Sequence, residues 1–205
     1  MSDVLKTKIA LIVGCGGLGG FVIEELSRSG IGKLILVDGD TFCESNMNRQ
    51  LLANFSTLGK NKAETYFEWL KLTSKVDVIA ISKFLTAENA DIIDDADIVM
   101  DCVDKVSTRR FLAEECKRRK KVLIHGAVEG LEGQVMAIYP QDKNFEKLFR
   151  ALDEVPHKTT SFAVAAVASA QTALAVRVLE DNGKDFRNKI LIVDMENISI
   201  KTLEL

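Results

Sequence analysis

Residues 8–20, KIALIVGCGGLGG, run a short fully apolar stretch straight into a cluster of glycines, and few folds accept that junction. An apolar run of this length reads as a buried β-strand. The next segment, LGGFVIEELSRSGI, carries its apolar residues at helical spacing. Gly14, Gly16 and Gly19 satisfy G-x-G-x-x-G between strand and helix, with Gly17 adding a fourth glycine. Such a turn lets backbone N–H groups approach a phosphate at the N-terminus of the helix. Asp38 follows nineteen residues after Gly19, at the end of the next apolar run, GKLILVD, where an acid can accept from ribose hydroxyls. The pattern points to a nucleotide without saying which one. An NAD-dependent dehydrogenase would show it too, and a glycine turn serving only close packing would show part of it.

Apolar runs and helical patterns go on alternating. Residues 60–72, KNKAETYFEWLKL, predict an amphipathic helix, VDVIAIS a third strand, ENADIIDDA a short helix and DIVMDCV a fourth strand. STRRFLAEECKRRK predicts a helix with a serine start signal and a basic last turn, followed by strands at KVLIHGA and GQVMAIYP. A long helix is expected near 160–181, ending at Asn182-Gly183, and KILIVDMENISIKTLEL closes with two strands forming an antiparallel edge. The fold class expected is α/β, doubly wound and Rossmann-like, with a mostly parallel central sheet and one domain over residues 1–205.

Composition narrows the function. The chain is 47% apolar and 28% charged, the balance of a soluble globular protein. Its net charge of -3 argues against a task of gripping nucleic acid or an acidic membrane. Cys15, Cys43, Cys102 and Cys116 form no C-x-x-C pair, and only His125 and His157 accompany them, so neither a disulfide scaffold nor a zinc site is expected. The start, MSDVLKTK, lacks a secretory apolar region, and SFAVAAVASAQTALAVRVL is interrupted by Ser169, Gln171 and Arg177, which suits a buried helix better than a membrane span. The expected compartment is the cytoplasm.

The stretch LVDGDTFCESNMNRQ, residues 36–50, crowds Asn46, Asn48, Arg49 and Gln50 behind the Asp38 strand tip. Arg49 offers a planar fork of donors suited to phosphate, and Asn46 and Gln50 can donate beside it. Lys62 lies thirteen residues on at the start of a helix, and Asp104 follows the fourth strand as a hard oxygen ligand suited to Mg²⁺. Hydride transfer needs neither extra cations nor a magnesium ligand. A triphosphate that must lose pyrophosphate needs both, because charge builds on the leaving group. Taken singly, each of these residues also reads as a solvated charge or a helix cap.

GCGGLGG, LVDGDTFCESNMNRQ, LGKNKAE, DCVD and GLEGQVMAIYP stand in an order and at a spacing that resemble the ThiF/MoeB/HesA family of E1-like adenylyltransferases, relatives of the ubiquitin-activating enzymes. The resemblance covers most of the chain, and N-x-N-R-Q followed by G-K-x-K-A is its most specific part. It implies ATP-dependent activation of the C-terminal Gly-Gly carboxylate of a small ubiquitin-fold sulfur carrier, with ATP and Mg²⁺ as cofactors. Carried over by motif, Gly16, Gly17 and Gly19 lie under the phosphates with Gly14 in the same turn, and Asp38 holds the ribose. Asn46, Arg49 and Lys62 contact phosphate, Ser45, Asn48 and Gln50 complete the nucleotide site, Asp40 supports it, and Asp104 binds magnesium. Arg49, Lys62 and Asp104 are the expected catalytic residues. The long alanine-rich helix, by the same resemblance, contributes to a homodimer, though core packing explains it nearly as well.

Three departures from the family pattern stand out. Lys105 replaces the asparagine that usually follows the aspartate of DCVD. Only about eight residues precede the first strand, so the family's N-terminal arginine is not expected, and Arg109 and Arg110 read as either substitutes or solvated side chains. The segment QDKNFEKLFRALDEVPHKTT has no cysteine, so neither zinc nor a carrier thioester or persulfide is expected there. Cys15 reads as a small buried residue, and His125 and His157 as structural or solvated side chains without evident partners. Two further readings stay open: activation of a carboxylate on modified tRNA or on a peptide, and a non-catalytic nucleotide-binding subunit.

Overall fold

A computed structural model describes residues 3–142, 159–181 and 183–205. His157, and most of the segment expected to lack zinc and thiol chemistry, lie outside the described residues.

One sheet of eight strands forms the centre, in the order β3-β2-β1-β4-β5-β6-β7-β8. β1 (Ile9–Val13), β2 (Lys33–Val37), β3 (Asp77–Ile81), β4 (Ile98–Asp101) and β5 (Val122–Glu129) run parallel. β6 (Glu132–Ile138) pairs antiparallel with β5 and with β7 (Lys189–Asp194), and β7 pairs antiparallel with β8 (Ser199–Glu204), the edge that the closing sequence predicts. β1 sits between β2 and β4, so the chain reverses its winding there. That is the crevice in which an open α/β sheet receives ligands.

The central strands are apolar throughout because both of their faces are covered. Ala10, Ile12, Leu34, Leu36, Ile98 and Met100 face a layer made by α1 (Gly17–Arg28), α2 (Lys62–Thr73) and α4 (Ser161–Asp181). Leu11, Val13, Ile35, Val37 and Val99 face α3 (Val106–Arg118) and a 3-10 turn at Ala90–Asp95. That 3-10 turn stands where a short helix is expected. α1 buries Leu18, Val22, Ile23 and Leu26, the i, i+4 and i+3 spacing of one helical face.

The serine start signal expected for α3 is not used. The helix begins at Val106, Lys105 occupies the N-cap position, and no side chain caps it. α4 is long and apolar enough to cross a membrane by length and composition, but half of its apolar window is buried against the sheet and α1. Its Gln171 is fully buried and donates to the carbonyls of Asp101 and Ile124 at 2.9 Å each, so the interruption in the apolar run ties β4 to β5.

Candidate active site

The turn after β1 is built by two glycines that pack and two that stay open. Gly14 has φ +91°, and a Cβ there would come within 2.6 Å of the Cys102 carbonyl oxygen. At Gly19 a Cβ would meet the Gly14 carbonyl oxygen at 1.8 Å, so this glycine lets α1 close onto its own turn. Gly16 and Gly17 face no such obstacle, the nearest atoms to an added Cβ lying at 3.4 Å. Gly16 is the N-cap of α1 and no side chain caps it, which leaves the first N–H groups of a twelve-residue helix for an anion.

Gln50 lies directly over that helix start. Its side chain is 8% exposed, its Oε1 is buried without a hydrogen-bond partner, and its Nε2 is the atom nearest to a Cβ built at Gly16. Side-chain amides turn over at little cost, so either end of Gln50 can serve a bound group. An orphaned buried amide above an uncapped helix N-terminus, with a glycine cradle beneath, fits a phosphate chain.

Asp38, at the tip of β2, is buried and receives two backbone donors, the N–H of Cys15 at 2.7 Å and that of Asp40 at 2.8 Å. Burial raises its carboxyl above the usual 3.8, against the pull of those two N–H groups and of Lys62. Asn61, which the sequence reading missed, clamps the same place. Its amide donates to the carbonyls of Asp38 and Asp40 at 2.9 and 3.0 Å, while its Oδ1 caps α2 by accepting from the Glu64 N–H. Its signal was present as an N-cap followed three residues later by Glu. This clamp delivers Lys62, the first residue of α2, to the site. The Lys62 ammonium is buried and lies 3.1 Å from the exposed carboxylate of Asp40.

Arg49 is held from behind. Its Nη1 donates to the Ser45 carbonyl and to Asn48 Oδ1, both at 2.8 Å, and neither partner is charged. Among the described residues the guanidinium has no charged partner. Asn48 in turn donates to the carbonyl of Thr159 at 3.3 Å, which ties the segment to the start of α4. Asn46 is a turn builder: its Oδ1 accepts the Cys43 N–H and closes the 3-10 turn Glu44–Asn46. Ser45 contributes its carbonyl to Arg49 and its hydroxyl to Cys43. The structure thus brings Gln50 and the Arg49 backbone against Gly16 and Gly17, and Asp38 against the same turn, with Asp40 paired to Lys62 beside it and Ser45, Asn46 and Asn48 bracing the segment.

Asp104 stands on the turn between β4 and α3, exposed, with Lys105 exposed beside it. Among the described residues no cluster of three or more His, Cys, Asp or Glu could hold a metal alone. A single carboxylate still fits Mg²⁺, which takes one or two carboxylates together with substrate phosphates and water. Phe84 was also missed by the sequence reading. It is 61% exposed beyond β3, and its ring packs on Gly39, where a Cβ would fall 2.7 Å from Cδ2, so it flanks Asp38 with an open aromatic face.

Two expectations are corrected. Arg109 is not solvated and is no substitute for a phosphate-reaching arginine: it is 4% exposed and lies 3.2 Å from the buried Asp101 carboxylate. His125 does have partners, with Nδ1 2.8 Å from Asp101 Oδ2 and 2.6 Å from Arg109 Nη1, and Nε2 3.1 Å from Gln134. Cys15 is fully buried and its thiol is pushed well above the usual range, chiefly by burial and then by Asp38, so it is a packing residue and no nucleophile.

The ThiF family matches residues 2–205. Molybdopterin-synthase adenylyltransferase of Escherichia coli K12 is 31% identical over 212 residues, an overlap of 99% of this chain and 85% of that protein. A tRNA threonylcarbamoyladenosine dehydratase of Haemophilus influenzae is 41% identical over 126 residues, covering 60% of this chain and 48% of its own length. A crystal structure of E. coli MccB with ATP superposes with a TM-score of 0.77 at 24% identity, over 98% of this chain and 65% of that one, which is likeness of fold. The chain belongs to the ThiF family.

Proposed function

We propose that the protein is an ATP-dependent adenylyltransferase that activates the C-terminal Gly-Gly carboxylate of a small ubiquitin-fold sulfur carrier. What supports this reading is the orphaned amide of Gln50 over the uncapped N-terminus of α1, with the Arg49 backbone beside Gly17 and the Lys62 ammonium near enough to act on Cys15 in the same turn. The carrier carboxylate attacks the α-phosphorus of ATP, an acyl–AMP bond forms, and the bond to the β-phosphate oxygen breaks to release pyrophosphate. Asp38 receives the ribose, the open face of Phe84 flanks the base, and the α1 N–H groups with Gln50 hold the phosphates. Arg49 and Lys62 offset charge as the pyrophosphate departs. Asp104 would hold Mg²⁺, which when bound supplies further charge neutralisation on the phosphates. The partner assembly proposed is a homodimer, and the compartment the cytoplasm.

The test is pyrophosphate–ATP exchange with Mg-ATP and a Gly-Gly-ending carrier, read together with AMP addition to the carrier. The parent protein exchanges and Arg49→Ala loses most of its rate. An Arg49→Ala variant as fast as the parent removes Arg49 from the mechanism, and ATP binding without exchange on any carrier favours a non-catalytic subunit.

A second reading changes the acceptor. The match to a protein named as a tRNA threonylcarbamoyladenosine dehydratase supports a carboxylate on modified tRNA. ATP turnover stimulated by tRNA and unmoved by carrier selects it.

A further inference from the structure

Below the crevice lies a buried polar group that nucleotide contact does not explain. Asp101 ends β4 at 0% exposure, Arg109 stands on the first turns of α3 at 4%, and His125 on β5 at 0%. The Asp101 and Arg109 side chains meet at 3.2 Å, and between them they hold both backbone polar groups of one residue. Asp101 Oδ1 accepts the Val103 N–H at 3.3 Å, and Arg109 Nη2 donates to the Val103 carbonyl at 2.5 Å. Val103 immediately precedes Asp104. The other arm of the guanidinium, Nη1, donates to the Gly126 carbonyl on β5 at 2.8 Å, so the chain leaving β4 is fixed against the neighbouring strand.

We propose that Arg109 is a positioning residue of the adenylation site, holding the Val103 backbone so that the Asp104 carboxylate stands at a fixed place over the crevice. The inference rests on the adenylation reading given above. Asp104 needs such a support, because its side chain has no hydrogen bond among the described residues and its position is set by the backbone that carries it. Among the described residues the other ties of the turn are the Cys102 N–H to the Val13 carbonyl and the Arg109 N–H to the Lys105 carbonyl, both at 3.0 Å, and, before Val103, Gln171 to the Asp101 carbonyl at 2.9 Å and the Cys102 thiol to Gln171 Oε1 at 3.8 Å. Well-packed apolar side chains would fill the same volume at no loss of stability, so what the buried pair adds is direction. A guanidinium fork reaches Val103, Gly126 and Asp101 at once from one plane, which an ammonium cannot do.

Truncating Arg109 alone strands the Asp101 charge and endangers folding, so the test uses Arg109→Lys and the paired Asp101→Asn/Arg109→Met protein, in which neither charge is left alone. ATP binding is measured by calorimetry across a Mg²⁺ titration and without Mg²⁺, with thermal melts alongside. In both variants the Mg²⁺ concentration that half-restores tight ATP binding rises by about 10–100-fold, the cost of losing a support behind a metal-binding side chain. Binding without Mg²⁺ stays at the parent value, because the glycine turn and Asp38 are untouched. In an Asp104→Ala background Arg109→Lys adds no further shift, whereas a merely structural Arg109 would weaken binding with and without the metal alike. Variants with the parent's Mg²⁺ dependence, or with equal losses in both conditions, overturn the inference alone. A parent protein whose ATP binding ignores Mg²⁺ overturns the role given to Asp104 and this inference with it.

Discussion

The Asp38 carboxylate accepts the N–H of Cys15 at 2.7 Å, so the acid at the tip of β2 fixes the glycine turn that follows β1. The residue that would meet the ribose also shapes the cradle for the phosphates. Asp38→Asn sets an NH₂ group against one of two backbone donors and loosens the turn as well as the sugar contact. ATP affinity is expected to fall by about 10- to 100-fold, the scale of one charge-assisted hydrogen bond. Asp40→Asn costs less, since that side chain is 61% exposed and, among the described residues, bonds only to Lys62. Because burial raises the Asp38 carboxyl above 3.8, ATP affinity should begin to fall on acidification while ordinary surface carboxylates are still ionised. Calorimetric titration against pH checks both statements.

The four glycines separate into two classes by what a methyl group would strike. Gly19→Ala drives a Cβ into the Gly14 carbonyl oxygen at 1.8 Å, backbone against backbone, and should destabilise the protein by about 1–3 kcal/mol as overpacking does. Gly16→Ala meets only the Gln50 Nε2 at 3.4 Å and should melt with the parent while binding ATP more weakly, since its methyl stands where a phosphate would approach. Thermal melts paired with ATP titrations distinguish the two. Equal losses of stability would show that Gly16 is also a packing residue.

Much of this architecture was legible in the sequence, for a physical reason. KIALIV, GKLILVD and DIVMDCV are strands buried on both faces, and such strands announce themselves as unbroken apolar runs. The two closing strands were legible as well, whereas Ala90–Asp95 became a 3-10 turn because a six-residue segment ending in two aspartates has too few turns to hold α geometry. Asp101, Arg109 and His125 were not legible as a group. They come from three elements, and only the sheet register, with Asp101 opposite His125, brings them together. Two adjacent arginines at a helix start look solvated in sequence, yet Arg109 points into the core while Arg110 is exposed. Phe84 was missed because a single aromatic beyond a strand carries no periodicity.

Lys62 tests how the site divides binding from chemistry. Its ammonium is buried, pairs with the largely solvated Asp40 and also pulls on the buried Asp38 carboxylate, so Lys62→Met takes an opposing charge away from Asp38. The variant should melt somewhat below the parent, since Asp38 keeps only its two backbone donors, and thermal melts read that loss separately from the rate. Pyrophosphate exchange should fall by about 100-fold or more, in kcat more than in the KM for ATP, because a cation aimed at developing charge counts most in the transition state. A rise in KM with kcat unchanged would place Lys62 in ground-state binding only.

His125 predicts an acid-sensitive core. Burial lowers its pKa from 6.5, and the Arg109 charge lowers it further against the opposing hydrogen bond and charge of Asp101. Among the described residues Asp101, Arg109 and Gln134 stand against the ring, and the first two already offset each other, so burial disfavours a proton on His125. Above pH 6.5 the ring is neutral in both folded and unfolded chains and contributes no slope. Below it the unfolded chain takes up a proton that the folded chain refuses, so this contribution to stability is lost as the pH falls toward the lowered folded value. Denaturant melts of the parent should therefore weaken from about pH 6.5 downward. His125→Asn, which keeps polar atoms in the place of the ring without a titrating group, should flatten that limb while leaving the carboxylate-driven loss at lower pH. A variant that keeps the parent's slope between about pH 6.5 and pH 5 would assign the limb to some other group.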